Sequence, residues 1–169
     1  MKNLEGTPLD QEGFERSVKI EWKPKIEYEW DCGIAISKFL EGLKKGIILA
    51  RKCDKCGRVV VPPRMFCELC FRPNDRWVTL SDEGEILTFS VCFVNWDATR
   101  REKPEIPAVI WLYGASPNVG ILHKIGEAGE TLEEILRNID IGTKVKAVWK
   151  KEEEREGAIT DILYFKPIK

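Results

Sequence analysis

The sequence predicts a mainly β protein with short helices, in which a helix and a small cysteine-rich segment precede a barrel of strands. One run of apolar residues at helical spacing comes first, and four of the six cysteines then form two Cys-x-x-Cys pairs. Beyond them, apolar and polar residues alternate in runs that turn residues separate. The predicted divisions of the 169-residue chain are an N-terminal arm at 1–33, a helix with a ribbon at 34–76 and a barrel at 77–169.

The arm has no core of its own. Between Ile20 and Trp30, charged residues alternate with aliphatic and aromatic ones, and Pro24 interrupts the run.

A helix is predicted over 34–45, since Gly46 stands where a helix ends and the apolar residues before it recur at helical spacing, at Ile36, Phe39, Leu40 and Leu43. The first cysteine pair is expected between two short strands, Ile47–Lys52 and Arg58–Val61.

Alternation predicts six strands after the cysteines: Trp77–Leu80, Glu85–Asn95, Ala108–Tyr113, Val119–Ile125, Lys144–Lys150 and Ala158–Lys166. A short helix at Thr131–Asn138 precedes the penultimate strand. A single layer cannot bury this much apolar surface, and closure into a barrel also removes exposed strand edges. The strand count, the length and the lone helix fit a five-stranded OB-type barrel. An SH3-like barrel and a small sandwich are open alternatives.

The two cysteine pairs predict a metal site, with ligands Cys53, Cys56, Cys67 and Cys70. Ten residues separate Cys56 from Cys67, enough for a strand out and a return. Four thiolates at tetrahedral positions suit zinc, and iron in a rubredoxin-like site is the main rival. Two redox pairs or free thiols are the alternative without a metal. Four cysteines leave no open coordination position, so the expected zinc is structural.

The charge balance argues against a dedicated nucleic-acid binder, because the net charge is only −1. The segment Lys44–Arg76 nevertheless carries nine basic and three acidic residues, so a bound anion is considered there. No apolar run approaches the roughly 18 residues that cross a bilayer. The N-terminus lacks the apolar core of a secretory signal. We therefore expect a cytoplasmic chain with no membrane partner.

No catalytic residue is predicted. His123 is the only histidine and is expected to be half-buried on a strand, without a partner for a relay. Cys92 and Cys32 are interpreted as small core residues. Six tryptophans are many for this length, and those outside clean strands are candidate interface anchors, namely Trp22, Trp30 and Trp96.

Several runs together resemble one known family: Phe39–Gly46, Arg51–Gly57, Val61–Cys70, Thr79–Phe89 and Arg155–Asp161. Over about residues 33–168 the chain is similar to acyl-CoA-associated two-domain proteins, which combine an N-terminal rubredoxin-like zinc ribbon with a C-terminal OB-fold. Such proteins accompany thiolases or hydroxymethylglutaryl-CoA synthases as a small non-catalytic subunit. They bridge enzymes or complete a CoA-binding site.

The resemblance implies that the four paired cysteines hold zinc and that coenzyme A or acyl-CoA is shared with a partner enzyme. Candidate contacts to CoA phosphates are the basic residues on or beside the knuckle strands: Arg64, Arg51, Lys52 and Arg58. Arg64 is the best single candidate, because Pro62 and Pro63 stiffen the backbone that presents it. A nucleic-acid-binding module is the alternative function, since ribbons and OB barrels both serve it.

Overall fold

The computed structural model describes residues 6, 8–21 and 23–168, so Trp22 lies outside the described residues. The chain divides into two compact units, Met1–Asp31 and Cys32–Lys169. In the first unit, helix α1 spans Gln11–Val18. The Asp10 side chain caps it by accepting the N–H of Gly13 at 2.6 Å.

Helix α1 was not predicted. Its apolar side consists of Phe14 and Val18 alone, and Gly13 lies within it, so the repeat is too short to stand out. None of its residues is buried, and the described positions between it and the next helix form neither helix nor strand. This unit therefore lacks a core among its described residues, as predicted for the arm.

The second unit begins with helix α2 at Gly33–Lys44, close to the predicted range. It buries Ala35, Phe39 and Leu43 on one face. Gly46 ends the turn after the helix with a φ of +72°, a conformation that glycine adopts without strain. This 12-residue helix is the longest one described, and no described helix has the length and apolarity to cross a bilayer.

Five short strands form the ribbon: β1 (Ile48–Lys52), β2 (Val59–Val60), β3 (Phe66–Cys67), β4 (Arg72–Pro73) and β5 (Arg76–Leu80). Strand β1 lies between β2 and β5, and both pairings are antiparallel. Strands β3 and β4 form a separate hairpin. The run expected to be the first barrel strand is β5, which pairs with β1, so the ribbon sheet continues past residue 76. The division at 76/77 stays a prediction.

The remaining strands are β6 (Glu83–Phe89), β7 (Cys92–Val94), β8 (Arg100–Leu112), β9 (Ile121–Ile125), β10 (Lys144–Trp149) and β11 (Ile162–Pro167). Their order is β6-β10-β11-β9-β8, and an added β6–β8 pairing closes the ring into a five-stranded barrel. Strands β9 and β11 are parallel, and all other barrel pairings are antiparallel. This confirms the OB-like barrel.

Helix α3 (Leu132–Asn138) lies between β9 and β10, as predicted for the lone helix. Thr131 and Glu134 form a reciprocal capping box at its start. Gly84 on β6 is required by a close approach, because a Cβ there would lie 2.1 Å from the Trp111 carbonyl oxygen. The barrel interior is filled by large apolar side chains, including Ile86, Ile110, Leu112, Val145 and Phe165.

Three strand predictions differ from the structure. The predicted strand Ala158–Lys166 begins only at Ile162, because Ile159–Asp161 form a short 3-10 helix. The run Glu85–Asn95 is broken into β6 and β7, and β8 begins at Arg100 rather than near Ala108. The first half of β8 pairs only with β7, which lies outside the closed ring. That part of β8 is charged because no core lies against it. Alternation therefore could not reveal it.

The ribbon and barrel share one apolar core. Phe39 and Leu43 of α2 and Ile48 of β1 belong to the same buried cluster as Ile110 and Phe165 of the barrel. A barrel loop also reaches the ribbon sheet, where Ser116 hydrogen-bonds to Val59 of β2. The metal-ligand candidates are thus carried on a ribbon fixed to the barrel.

Candidate metal centre and its basic surroundings

The four paired cysteines converge in space. The sulfurs of Cys53, Cys56, Cys67 and Cys70 all lie within 4.8 Å of one another. The Sγ atoms of Cys56 and Cys67 are 3.7 Å apart. Tetrahedral zinc, with Zn–S bonds of about 2.3 Å, requires sulfur–sulfur distances of about 3.8 Å. The donor set therefore fits a zinc ion held by four thiolates.

Two tight turns bring the sulfurs together. In the first, the N–H of Gly57 donates to the carbonyl of Cys53 at 2.8 Å, with Gly57 at φ +78°. In the second, the N–H of Phe71 donates to the carbonyl of Cys67 at 2.9 Å, with Phe71 at φ +51°. The two turns thus use the same left-handed position, filled by glycine once and by phenylalanine once.

The surroundings of Cys53 favour its ionised thiolate, whereas those of Cys70 disfavour it, so the pKa values of the two thiols differ. The backbone N–H of Cys56, and after it that of Lys55, outweigh burial and lower the pKa of Cys53 to about 7. Burial and the neighbouring thiols raise the pKa of Cys70 to about 12. Cys53, Cys56, Cys67 and Cys70 would hold a divalent cation there, and its positive charge would let all four thiols ionise together.

Ion pairs and a backbone hydrogen bond connect the first cysteine turn to residues 72–76, at the end of the β3–β4 hairpin and the start of β5. Arg76 contacts Asp54 with Nη2 at 2.6 Å, and Asp75 accepts the backbone N–H of Asp54 at 2.7 Å. Arg72 contacts the same Asp75 at 2.8 Å. These contacts hold the two cysteine pairs in place around the metal position.

Arg51, one of the four predicted phosphate contacts, is buried within the ribbon. Its Nη2 donates to the carbonyl of Asn74, and its guanidinium lies 5.0 Å from the ring centre of Trp77. Asn74 is itself buried and donates from Nδ2 to the carbonyl of Arg64 at 2.7 Å. Arg51 thus braces the ribbon interior. Asn74 and Trp77 were not singled out from the sequence, because their role depends on contacts across strands.

Arg58 and Arg64 line one cavity of about 160 Å³, bounded by the turn at 60–62 and by barrel residues 118–120. Arg58 is ion-paired there with Glu68, with Nε 2.7 Å from Oε1. The backbone N–H of Glu68, then the charges of Arg58 and Arg64, lower the pKa of that carboxyl. Arg64 is exposed, and its guanidinium contacts no carboxylate in the described part of the chain. Lys52 is half-buried on β1 and does not line the cavity.

The other singled-out residues lie apart from this region. His123 is half-buried, with Nε2 3.3 Å from the Ile159 carbonyl, and burial lowers its pKa. Cys92 is half-buried, but Cys32 is exposed at the start of α2, so the prediction of a core cysteine is wrong there. Trp96 is 99% exposed and Trp30 82% exposed.

Comparisons with known proteins agree with this geometry. Residues 40–76 match the model of the ChsH2 rubredoxin-like zinc ribbon domain. A DUF35 protein of unknown function from Sulfolobus solfataricus is 29% identical, with a TM-score of 0.54 over 69% of this chain and 77% of that one. No curated protein matches the chain.

A second similar structure is that of the Ltp2-ChsH2(DUF35) aldolase. It is 18% identical, with a TM-score of 0.55 over 86% of this chain and 98% of that one, and at this identity it shows the shared fold. Residues 40–76 therefore resemble the ChsH2 rubredoxin-like zinc ribbon, and the chain has the ribbon-plus-barrel architecture of the DUF35 proteins to which it is similar.

Proposed function

We propose that this chain is a non-catalytic, zinc-binding subunit of an acyl-CoA-processing complex. Its partner would be a thiolase or hydroxymethylglutaryl-CoA synthase-like enzyme, whose CoA site it completes or which it bridges to a second enzyme. The observation that carries the CoA role is the exposed Arg64, which contacts no carboxylate among the described residues and lines the cavity between ribbon and barrel. The similarity to the Ltp2-ChsH2(DUF35) aldolase supports placement in an enzyme complex.

The metal centre supports an accessory role. Four thiolates complete a tetrahedral shell, so zinc held there would stabilise the ribbon and leave no position for a reactive water. The cysteines would hold the ion, and the ion pairs of Arg76 and Arg72 would keep their turns in place. His123 contacts a backbone carbonyl, and no carboxylate contact orients it as a general base among the described residues.

Arg64 is suited to a CoA phosphate because its planar guanidinium donates two parallel hydrogen bonds to phosphate oxygens. Arg58 adds positive potential, although Glu68 already accepts from it. Lys52 adds charge from β1, whereas Arg51 acts on the fold of the ribbon. The proposed direct contact is therefore Arg64, with the other basic residues in supporting roles.

The test begins with purification of the native complex through this chain and identification of its partner. The CoA affinity of the partner is then measured by calorimetry with and without this chain. We expect tighter binding with the chain, loss of that gain in Arg64→Ala, and a gain that weakens with added salt. Arg137→Ala removes the same charge from α3 and should keep the gain. Equal CoA affinity with and without the chain contradicts the CoA role.

A further inference from the structure

The second cysteine turn presents a cluster of exposed apolar side chains. We call it the knuckle patch, and its members are Met65, Phe66, Leu69 and Phe71. All four lie within seven residues, on and around the short β3–β4 hairpin, and Phe71 is 83% exposed. Single exposed apolar residues are ordinary, but a local group of them marks an interaction site.

Phe71 has no role in the core that would account for it. It occupies a left-handed conformation, which is strained for a residue with a Cβ, and Gly57 fills the corresponding position in the first turn without strain. A glycine at 71 would serve the turn at lower cost, and the phenylalanine ring is mostly in water. The folded chain by itself therefore offers no packing contact that offsets the strain of this residue.

The patch is held rigidly. The N–H of Phe71 donates to Cys67, and the N–H of buried Asn74 donates to the carbonyl of Met65 at 2.8 Å. Cys67 and Cys70 belong to the four-sulfur cluster, which bound zinc would fix further. A rigid aromatic anchor loses little conformational freedom on binding, which favours affinity.

The charges around the patch indicate its partner. The segment Lys44–Arg76 has six more basic than acidic residues. Three of its arginines are ion-paired, but Arg64 next to Met65 is exposed and contacts no carboxylate among the described residues. An isologous contact between two copies would bring two basic ribbons together, which like-charge repulsion opposes. A protein surface with carboxylates around an apolar pocket is complementary.

We propose that the knuckle patch docks the ribbon onto the partner enzyme, with Phe71 inserted into an apolar pocket whose rim is acidic. This rests on the proposed accessory function and adds the surface through which the enzyme is held. Arg64, the proposed CoA contact, directly precedes Met65, so the test changes Phe71 and Leu69 and leaves Arg64 in place.

Phe71→Gly tests the proposal because it should weaken partner binding without lowering the stability of the chain. We expect the isolated chain to keep its zinc and to melt at the same or a higher temperature, because the turn loses its strain. Affinity for the purified partner enzyme, measured by calorimetry or surface plasmon resonance, should fall at least tenfold. Leu69→Ser should weaken binding several-fold. Leu122→Ser, the same change at an exposed position on barrel strand β9, should leave it unchanged.

The outcomes separate this proposal from the function on which it rests. If no enzyme co-purifies with the chain, both fail. If an enzyme co-purifies and the Phe71 and Leu69 variants bind it with unchanged affinity, the docking surface alone is wrong. Phe71-dependent binding to phosphatidylglycerol vesicles, or Phe71-dependent dimerisation in sedimentation, together with unchanged enzyme affinity, would assign the patch to a membrane or a second copy instead.

Discussion

Ser116 of the barrel satisfies both backbone polar groups of Val59 in the ribbon. Its Oγ accepts the N–H of Val59 at 2.8 Å, and its own N–H donates to the Val59 carbonyl at 3.1 Å. Val59 lies on β2, an edge strand of the ribbon sheet. The barrel loop therefore covers part of an edge that would otherwise expose unpaired backbone groups.

Ser116→Ala should weaken this junction. The variant removes the acceptor for the part-buried Val59 N–H, which we expect to cost about 1–2 kcal/mol in the free energy of unfolding. Urea denaturation followed by circular dichroism measures the loss. Ser90→Ala is the control, because no hydrogen bond of that exposed hydroxyl is found within the described residues. Equal losses in the two variants would contradict a specific role for Ser116.

Cys67→Ser should abolish metal binding, because one missing thiolate opens the tetrahedral shell. We expect about one zinc per parent chain by elemental analysis and little in the variant. The ribbon shares its core with the barrel, so its thermal unfolding midpoint should fall as well. Cys92→Ser, which changes a cysteine outside the cluster, should keep its zinc. A zinc-free parent chain with an intact ribbon, or iron at this site, would show that the zinc assignment is wrong.

Arg51→Ala should destabilise the ribbon. The buried Arg51 donates to the Asn74 carbonyl and lies over Trp77, so its loss leaves a buried acceptor unpaired and a cavity beside the ring. We expect a cost of about 2–4 kcal/mol in unfolding free energy. Arg64→Ala, at an exposed position of the same charge, should cost less than about 0.5 kcal/mol. Similar effects of the two changes would contradict the distinction between a structural and a ligand-facing arginine.

Asp161 should make stability depend on acid pH. Burial raises its pKa, but the N–H groups of Glu156, Ala158 and Gly157, together with Lys150, outweigh burial and hold the pKa of this carboxyl below its usual value. Its stabilising contribution is therefore present above its unfolded pKa of about 3.9 and is lost as the pH falls through the lower folded value.

Asp161→Asn removes the charge while keeping the size. We expect a loss of about 2 kcal/mol near pH 7 that persists down to about pH 4 and shrinks as the pH falls further, through the lower folded pKa. Denaturant titrations across this range measure it. Glu153→Gln, which removes a carboxylate at an exposed position in the same loop region, is the control and should keep the parent's stability near pH 7. A constant difference for Asp161→Asn would contradict the titration argument.

The sequence predicted the elements whose signals are local. Helix α2 has a full apolar repeat, and the paired cysteines have a spacing typical of a common metal centre. Helix α1 was missed because its apolar side is only one turn long. Its start is set by the Asp10 cap, which is a weak signal in the sequence without a longer apolar repeat after it. The first half of β8 was missed because charged residues outside the barrel do not alternate.

Charge alone did not distinguish the arginines of the ribbon. Strand β1 is central in its sheet, and three of its five residues are buried, Arg51 among them. A buried arginine and an exposed one look the same in a basic segment. Only the partners Asn74 and Trp77, distant along the chain, identify Arg51 as structural. The same holds for Phe71. Only the structure shows that it has the left-handed backbone conformation that Gly57 has in the first turn.

The parallel pairing of β9 with β11 determines where the barrel opens locally. Its register consists of one residue pair, Phe165 with Ile125, whereas β8 and β9 are joined by five pairs. The two strands are also separated along the chain by α3 and β10, so bringing them together carries a loop-entropy cost that one residue pair does little to offset. The β9–β11 pairing should therefore form last during folding and open first in the native state. Amide exchange at Gly126, whose N–H donates to Phe165 at 2.9 Å, is expected to be faster than in the middle of β8.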